Sequence, residues 1–312
     1  MENKKRKSRL KRPTIGDWII VVVMLVLIAT CIFPVLNVVA TSFSSPSAIM
    51  RQQVTLFPKI ESVNDEGETE FPVGMRMEAY GDMINNSRFM RSLAWTALLT
   101  LISTVISLTM TVLCAYPLTY DKLKGRKIIT LLIIFTMYFQ AGLIPNYVLF
   151  FNLKILNTPL VLILPGMISV FLMIIMRKFF LGIPDSLKES AEIDGASPIK
   201  ILVRIYLPLS TPALATLGLM YAVGRWNGFT DSLMFITDAA ASKWHPIQHL
   251  LYNILQGTQG VETNLDPGSA NLAHTRSVEA AAIVMAMVPI LCVYPWLQKY
   301  FVHGVTLGAV KG

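Results

Sequence analysis

The sequence predicts an all-α integral membrane protein with six transmembrane helices, and three observations carry that prediction. Hydrophobic residues make up 54% of the 312-residue chain, the mean hydropathy is +0.55 and only 15% of residues are charged; a soluble domain carries about 25%. The charges are clustered, leaving six uncharged intervals near or beyond the roughly 20 residues that cross a hydrocarbon core about 30 Å thick. None of these intervals alternates at period two, so each satisfies its own backbone only as a helix. They are Trp18–Ala40, Leu93–Tyr116, Ile128–Phe151, Ile155–Met176, Leu207–Gly224 and Ala280–Gln298.

A very basic leader, "MENKKRKSRLKRPTIGDW", precedes the first interval. The apolar run after it is longer than the roughly 7–15 residues of a signal core and has no clean small-x-small cleavage site. Residues 1–17 are therefore expected to be a basic N-terminus followed by a retained span. Lys and Arg near span ends set orientation. With the N-terminus inside, the inner pieces hold 18 of the 27 basic residues, while the longest outer loop, 41–91, carries seven acids. Both termini are expected in the cytoplasm, so the net charge of +8 has a topological cause and no nucleic-acid partner is expected.

The remaining residue chemistry excludes several classes. Cys31, Cys114 and Cys292 lie in apolar spans without paired spacing and read as small buried hydrophobes. His245, His249, His274 and His303 show no metal-ligand spacing, so no metal is expected. There is no GxSxG and no HExxH, and no P-loop pattern. ATP and Mg, if used, belong to another chain. A stand-alone secondary transporter of a small solute is the alternative, but ion coupling calls for ionisable residues inside spans, and the six intervals have none.

Between the fourth and fifth intervals lies a polar elbow at 184–208, including "ESAEIDGASPIKILVRIYLP". It reads as two short helices with a corner. Asp185 or Ser186 caps the first, and Gly195 ends it in the left-handed conformation. Ser197 caps the second, with Pro198 at its first position, where a missing N–H costs nothing. Ile199, Leu202, Ile205 and Tyr206 follow three-and-four spacing and predict one apolar stripe. Pro208 marks re-entry into the membrane.

Glu189, Ala191, Asp194, Gly195, Ala196, Leu207, Pro208 and Pro212 resemble the signature loop of permease subunits of binding-protein-dependent ABC importers. Ser190 stands where Ala is usual, and Leu202 where Phe is usual. "GLIPNYVLF", "LNTPLVLILPG", "MRKFFLGIPDSLKESAEIDGA", "RWNGF" and the closing "VHGVTLGAVKG" are similar to stretches of the carbohydrate branch, especially the maltose-type smaller permease. The outer segment 61–73 has no obvious counterpart and looks like an insertion.

This resemblance implies a six-span transmembrane domain at 18–304 and a cytoplasmic tail at 305–312. It implies coupling to a separate ATPase through Glu189, Ala191, Asp194, Gly195, Ala196, Leu202 and Pro208, with Gly308, Lys311 and Gly312 of the tail touching the ATPase. The implied partners are a second, different permease subunit, two ABC ATPase subunits, an extracytoplasmic solute-binding protein and the lipid of a bacterial plasma membrane. The cargo would be a sugar or oligosaccharide, and this chain would bind no cofactor.

Two further readings concern the outer side. "HPIQHLLYNILQ" puts Ile247, Leu250, Leu251, Ile254 and Leu255 on one helical face. Such a helix either lies at the outer interface, facing the binding protein, or packs on its own bundle. Tyr138, Gln140, Asn146, Trp226 and Asn227 are the polar candidates for a substrate path; Tyr and Trp also serve as interfacial anchors, which is the competing reading for Trp226.

Overall fold

The computed structural model describes residues 14–65, 68–139, 141–256 and 269–309. They form two compact units, one made of residues up to 82 with 264–284, the other of 83–263 with 285 onward.

In the first unit, α1 (Ile15–Ser42) starts with a capping box in which Thr14 N donates to Asp17 Oδ2 at 2.7 Å. The central window of α1 buries none of its surface. After it comes α2 (Pro46–Met50), whose N-cap Ser45 accepts from Ala48 N. The 61–73 segment carries a small antiparallel pair of β1 (Ser62–Val63) and β2 (Thr69–Glu70), in register Ser62↔Glu70 and Val63↔Thr69. Ser42 Oγ and Tyr80 Oη lie 2.8 Å apart, and Phe43 stacks on Tyr80. Tyr80 belongs to α3 (Glu78–Asn85).

The second unit is built on α4 (Ser87–Ala115). Chain order then gives α5 (Arg126–Tyr138), α6 (Leu143–Asn152), α7 (Leu160–Ile163), α8 (Val170–Phe180), α9 (Asp185–Ile193), α10 (Pro198–Ile201), a π-helical turn (Leu202–Tyr206) and α11 (Leu207–Leu209). It continues with α12 (Thr211–Asn227), α13 (Thr230–Phe235), a 3₁₀ turn (Ala239–Trp244) and α14 (Ile247–Leu255). The last helix is α15 (Ser269–Ala309).

The buried face of α4 is polar: Ser92, Thr96, Ser103, Ser107 and Thr111 are all at most 5% exposed. In lipid, helices gain little by hiding apolar surface from each other, and association relies on small residues that permit close packing and on interhelical hydrogen bonds. Both occur here. Gly218 of α12 faces Leu108, and Thr111 Oγ1 meets Tyr221 Oη at 2.7 Å.

The six apolar intervals are not six unbroken helices. Among the described residues three helices are long and apolar enough to cross a bilayer, Ile15–Ser42, Ser87–Thr119 and His274–Val293. The third interval breaks into α5 and α6 with a 112° bend, and the fifth bends by 82° between Leu209 and Thr211; counting each bent pair as one span gives five. The fourth interval is α7 and α8 with an irregular link between them. Pro165, which has no N–H, and Gly166 lie in that link. Irregular backbone at membrane depth is tolerated where it is buried in protein or lines a cavity, and this link lines one.

Candidate functional site

The elbow departs from the sequence reading at its start and agrees with it at its corner. Pro184 is the N-cap of α9 and makes no side-chain cap, so neither Asp185 nor Ser186 plays that part; Asp185 is already helical, its charge favourable in the first turn. At the other end, Ala196 N donates to Ala191 O at 2.9 Å and Gly195 N to Glu192 O at 3.1 Å. That pair of bonds is a Schellman motif, and Gly195 occupies its left-handed position with φ +74°. Ser197 Oγ then accepts from Lys200 N, with Pro198 opening α10.

Ala191 and Ala196 close the corner and pack, half-buried, against the core beneath. Glu189 and Asp194 are exposed and join no ion pair among the described residues. The predicted apolar stripe is shifted. Ile199 is 74% exposed, whereas Ile201, Leu202 and Tyr206 are buried. Ile199 sits in the first turn of α10, and the side of the elbow that meets the core beneath is the one carrying Ile201, Leu202 and Tyr206. Ile193 and Ile199 consequently point away from the bundle, 86% and 74% exposed. Pro208 is exposed within α11, one residue before the bend begins.

An aromatic cluster seats the elbow on the bundle. Tyr116, at the end of α4, meets Tyr206 edge-on at 5.0 Å and Phe180 of α8 at 6.2 Å; Phe180 and Tyr206 are 5.4 Å apart. The Tyr116 hydroxyl donates to Pro198 O at 3.0 Å and contacts Tyr120 Oη at 2.5 Å. Arg177 Nε donates to Leu118 O at 2.9 Å, and Lys188 Nζ sits 3.8 Å over the Tyr120 ring. Sequence reading missed this cluster, because Tyr116 and Tyr120, Phe180 and Tyr206 come from three places far apart in sequence and give no local period.

At the other end of α4, α14 packs on its own bundle. Ile247, Leu250, Leu251 and Ile254 are buried, while Leu255 is exposed. Ser92 Oγ donates to His245 O, Trp95 Nε1 to Trp244 O and Ile247 N to Thr96 Oγ1, all within 2.8 Å. His245 and His249 are buried and their rings stack at 3.9 Å; His249 Nδ1 pairs with Ser232 Oγ at 2.7 Å. Burial holds His249 down at about 4, and His245 below its usual value. At 1.5 Å per residue, Ser92 and Tyr116 are about 36 Å apart along α4, so these two clusters mark opposite ends of a helix long and apolar enough to cross a membrane.

A polar cleft of about 320 Å³ opens between those ends. Ser103 and Ser107 of α4, Gly166 and Ser169 of the α7–α8 link, and Tyr221 and Arg225 of α12 line it. Ser169 N donates to Tyr221 Oη at 3.0 Å. Arg225 is largely buried and faces Asp231 at 3.6 Å.

Residues 72–307 match the family model described as "binding-protein-dependent transport system inner membrane component". The chain belongs to that family. It is 37% identical to protein LplC of Bacillus subtilis (strain 168), over 91% of this chain and 90% of that one. It is 35% identical to the polygalacturonan/rhamnogalacturonan transport system permease protein YtcP of the same organism, over 95% and 98%. Among solved structures it is similar to a bacterial ABC transporter involved in import of the acidic polysaccharide alginate, at 30% identity and TM-score 0.77 over 92% of this chain and 98% of that one. The resemblance read from the elbow is thus to the right family, and the permease is an inner-membrane component.

Among the described residues, none of the path candidates read from the sequence lines the polar cleft. Tyr138 is 73% exposed. Asn146 is half-buried in α6 and Asn227 is exposed at the end of α12. Trp226 is buried and its Nε1 donates to Ala286 O of α15 at 3.2 Å, which fits neither an exposed anchor nor an open rim. Gln140, Lys311 and Gly312 lie outside the described residues, and Gly308 is within α15. Arg225, which does line the cleft, was passed over because it stands one residue beyond the fifth apolar interval; "RW" at a span end was its signal.

Proposed function

We propose that the permease moves an oligosaccharide inward across the plasma membrane, driven by ATP hydrolysis on two separate ATPase subunits that dock on the elbow. Orientation follows the basic residues: both termini and the elbow face the cytoplasm, and the α14 end faces out. ATP and Mg reside on the ATPase subunits. A second, different permease subunit completes the pathway, and a solute-binding protein delivers cargo from outside. The sugar class is supported by the similarity to a polygalacturonan/rhamnogalacturonan transport system permease and to an alginate importer.

One observation carries this reading: the elbow has two faces. Ile201, Leu202 and Tyr206 fix it to α4 and α8, while Ile193 and Ile199 present an apolar outer face, the kind of surface that inserts into a groove on another chain. Glu189, Ala191, Asp194, Gly195, Ala196, Leu202 and Pro208 form or support this coupling element, and the Gly308–Gly312 tail extends the contact. Closure of the ATPase pair would push the elbow as a rigid body and swing α8 and α12, which join its two ends.

The test is purification of the permease under mild detergent with its ATPase, followed by ATP hydrolysis and uptake in proteoliposomes for wild type and Gly195→Arg. An ATPase that co-purifies with wild type and whose hydrolysis no longer drives uptake in the variant is expected. Failure of any ATPase to travel with the wild-type chain would overturn the reading.

A further inference from the structure

The cleft midway along α4 holds an unusual combination for membrane depth. Ser103 is about 16 Å along α4 from Ser92, well away from either end. Its side chain is 5% exposed, its hydroxyl finds no partner, and it lines the cleft. A buried hydroxyl without a partner is costly. Arg225 is the second feature. Its side chain is 14% exposed, and among the described residues its one ionic partner is Asp231, at 3.6 Å. That distance is too long for a good hydrogen bond, and Asp231 is half-exposed at the rim. A guanidinium carries five donors in a planar fork and matches a carboxylate through two parallel bonds; most of that capacity is unspent here. The third feature is Gly166. A Cβ there would lie 2.8 Å from Arg225 Nη2, so the absence of a side chain keeps the guanidinium's place open.

From these three features we infer that the cleft is a substrate subsite for a carboxylate-bearing sugar, with Arg225 taking the carboxylate and Ser103 and Ser107 the ring hydroxyls. Its volume, about 320 Å³, is at the lower end of ordinary ligand pockets, about 300–1,000 Å³. A neutral sugar would leave a desolvated cation with only its loose tie to Asp231. The charge of an incoming uronate completes the shell, and Asp231, being solvated, opposes it weakly. The inference rests on the importer reading above and adds the chemical class of cargo and the residue that selects it.

The experiment uses the reconstituted permease–ATPase complex, with trigalacturonate and its fully methyl-esterified form as probes; the two share rings and hydroxyls and differ in charge. ATP-driven uptake of the acid at least tenfold above the ester is expected. Arg225→Gln should remove about nine-tenths of acid uptake and so close most of the gap between acid and ester. Asp231→Asn, at an exposed position that tolerates substitution, should tighten binding of trigalacturonate to the complex severalfold. Equal uptake of acid and ester, uptake of neither, or weaker binding in Asp231→Asn would each overturn the inference. In those three outcomes intact ATP hydrolysis by the complex leaves the importer reading standing; if no ATPase assembles, that reading fails and takes this inference with it.

Discussion

The hydroxyl of Tyr116 donates to the carbonyl of Pro198 at 3.0 Å, tying the end of the longest helix of the second unit to the first residue of α10. Tyr116 also forms one wall of the aromatic cluster, so its ring and its hydroxyl do different things. Tyr116→Phe keeps the ring and removes the bond. A neutral hydrogen bond contributes about 0.5–1.5 kcal/mol net, a factor of roughly 2–10. The variant should fold and bind its ATPase, yet move two- to tenfold less solute per ATP hydrolysed. Uptake and hydrolysis measured on the same proteoliposomes check this; an unchanged ratio would show that the bond transmits nothing.

Gly195 separates strain from crowding. A Cβ built there meets nothing within 4 Å, so the cost of a small side chain is conformational, about 1–2 kcal/mol for the left-handed region. Gly195→Ala should weaken coupling by about tenfold, at 1.36 kcal/mol per factor of ten. Gly195→Asn, which adopts that region more readily, should do better than Ala despite its larger side chain. Equal activity of Asn and Ala variants would point to crowding against a docked partner instead.

The elbow also shows what a sequence can and cannot disclose. Gly195, Ser197 and Pro198 were legible because a corner of this kind depends only on residues adjacent in the chain. The stripe was misread at Ile199 because the side of a short helix that is buried is chosen by the elements beneath it: Leu202 and Tyr206 reach the Phe180–Tyr116 cluster. Spans one, two and six were legible from hydropathy, which is a sum over many residues. The breaks in the third, fourth and fifth intervals depend on neighbours that satisfy the freed backbone, as Tyr221 does for Ser169 N. Arg225 is invisible to a search for uncharged runs for the same reason: its burial is supplied by elements remote in sequence.

The stacked histidines at the α14 end predict acid sensitivity. Both are held below their ordinary value, chiefly by burial, with Arg88 adding repulsion and His249 held down to about 4. The unfolded chain therefore binds protons more readily than the folded one between about pH 6.5 and 4. Stability from this pair is present above pH 6.5 and is lost as pH falls through that window. Thermal unfolding of the purified permease, followed from pH 7.5 to 4.5, should show a falling midpoint that is flatter in His249→Gln. A parallel decline in the two proteins would assign the acid sensitivity to other groups.

Ile201 and Ile199 are two residues apart and face opposite demands, which makes them a direct test of the two-faced elbow. Ile201 is 1% exposed inside the aromatic cluster. Truncation to Ala leaves a cavity, at a cost of about 2–5 kcal/mol for buried residues of this size, so the thermal midpoint of Ile201→Ala should fall clearly. Ile199 is 74% exposed, and surface truncations change stability by only about 0.5 kcal/mol either way. Ile199→Ala should melt like wild type yet retain less ATPase on purification, because it removes apolar surface from the docking face. Ile193→Ala should behave as Ile199→Ala does. If both exposed variants hold the ATPase as tightly as wild type, the motor binds elsewhere on the permease.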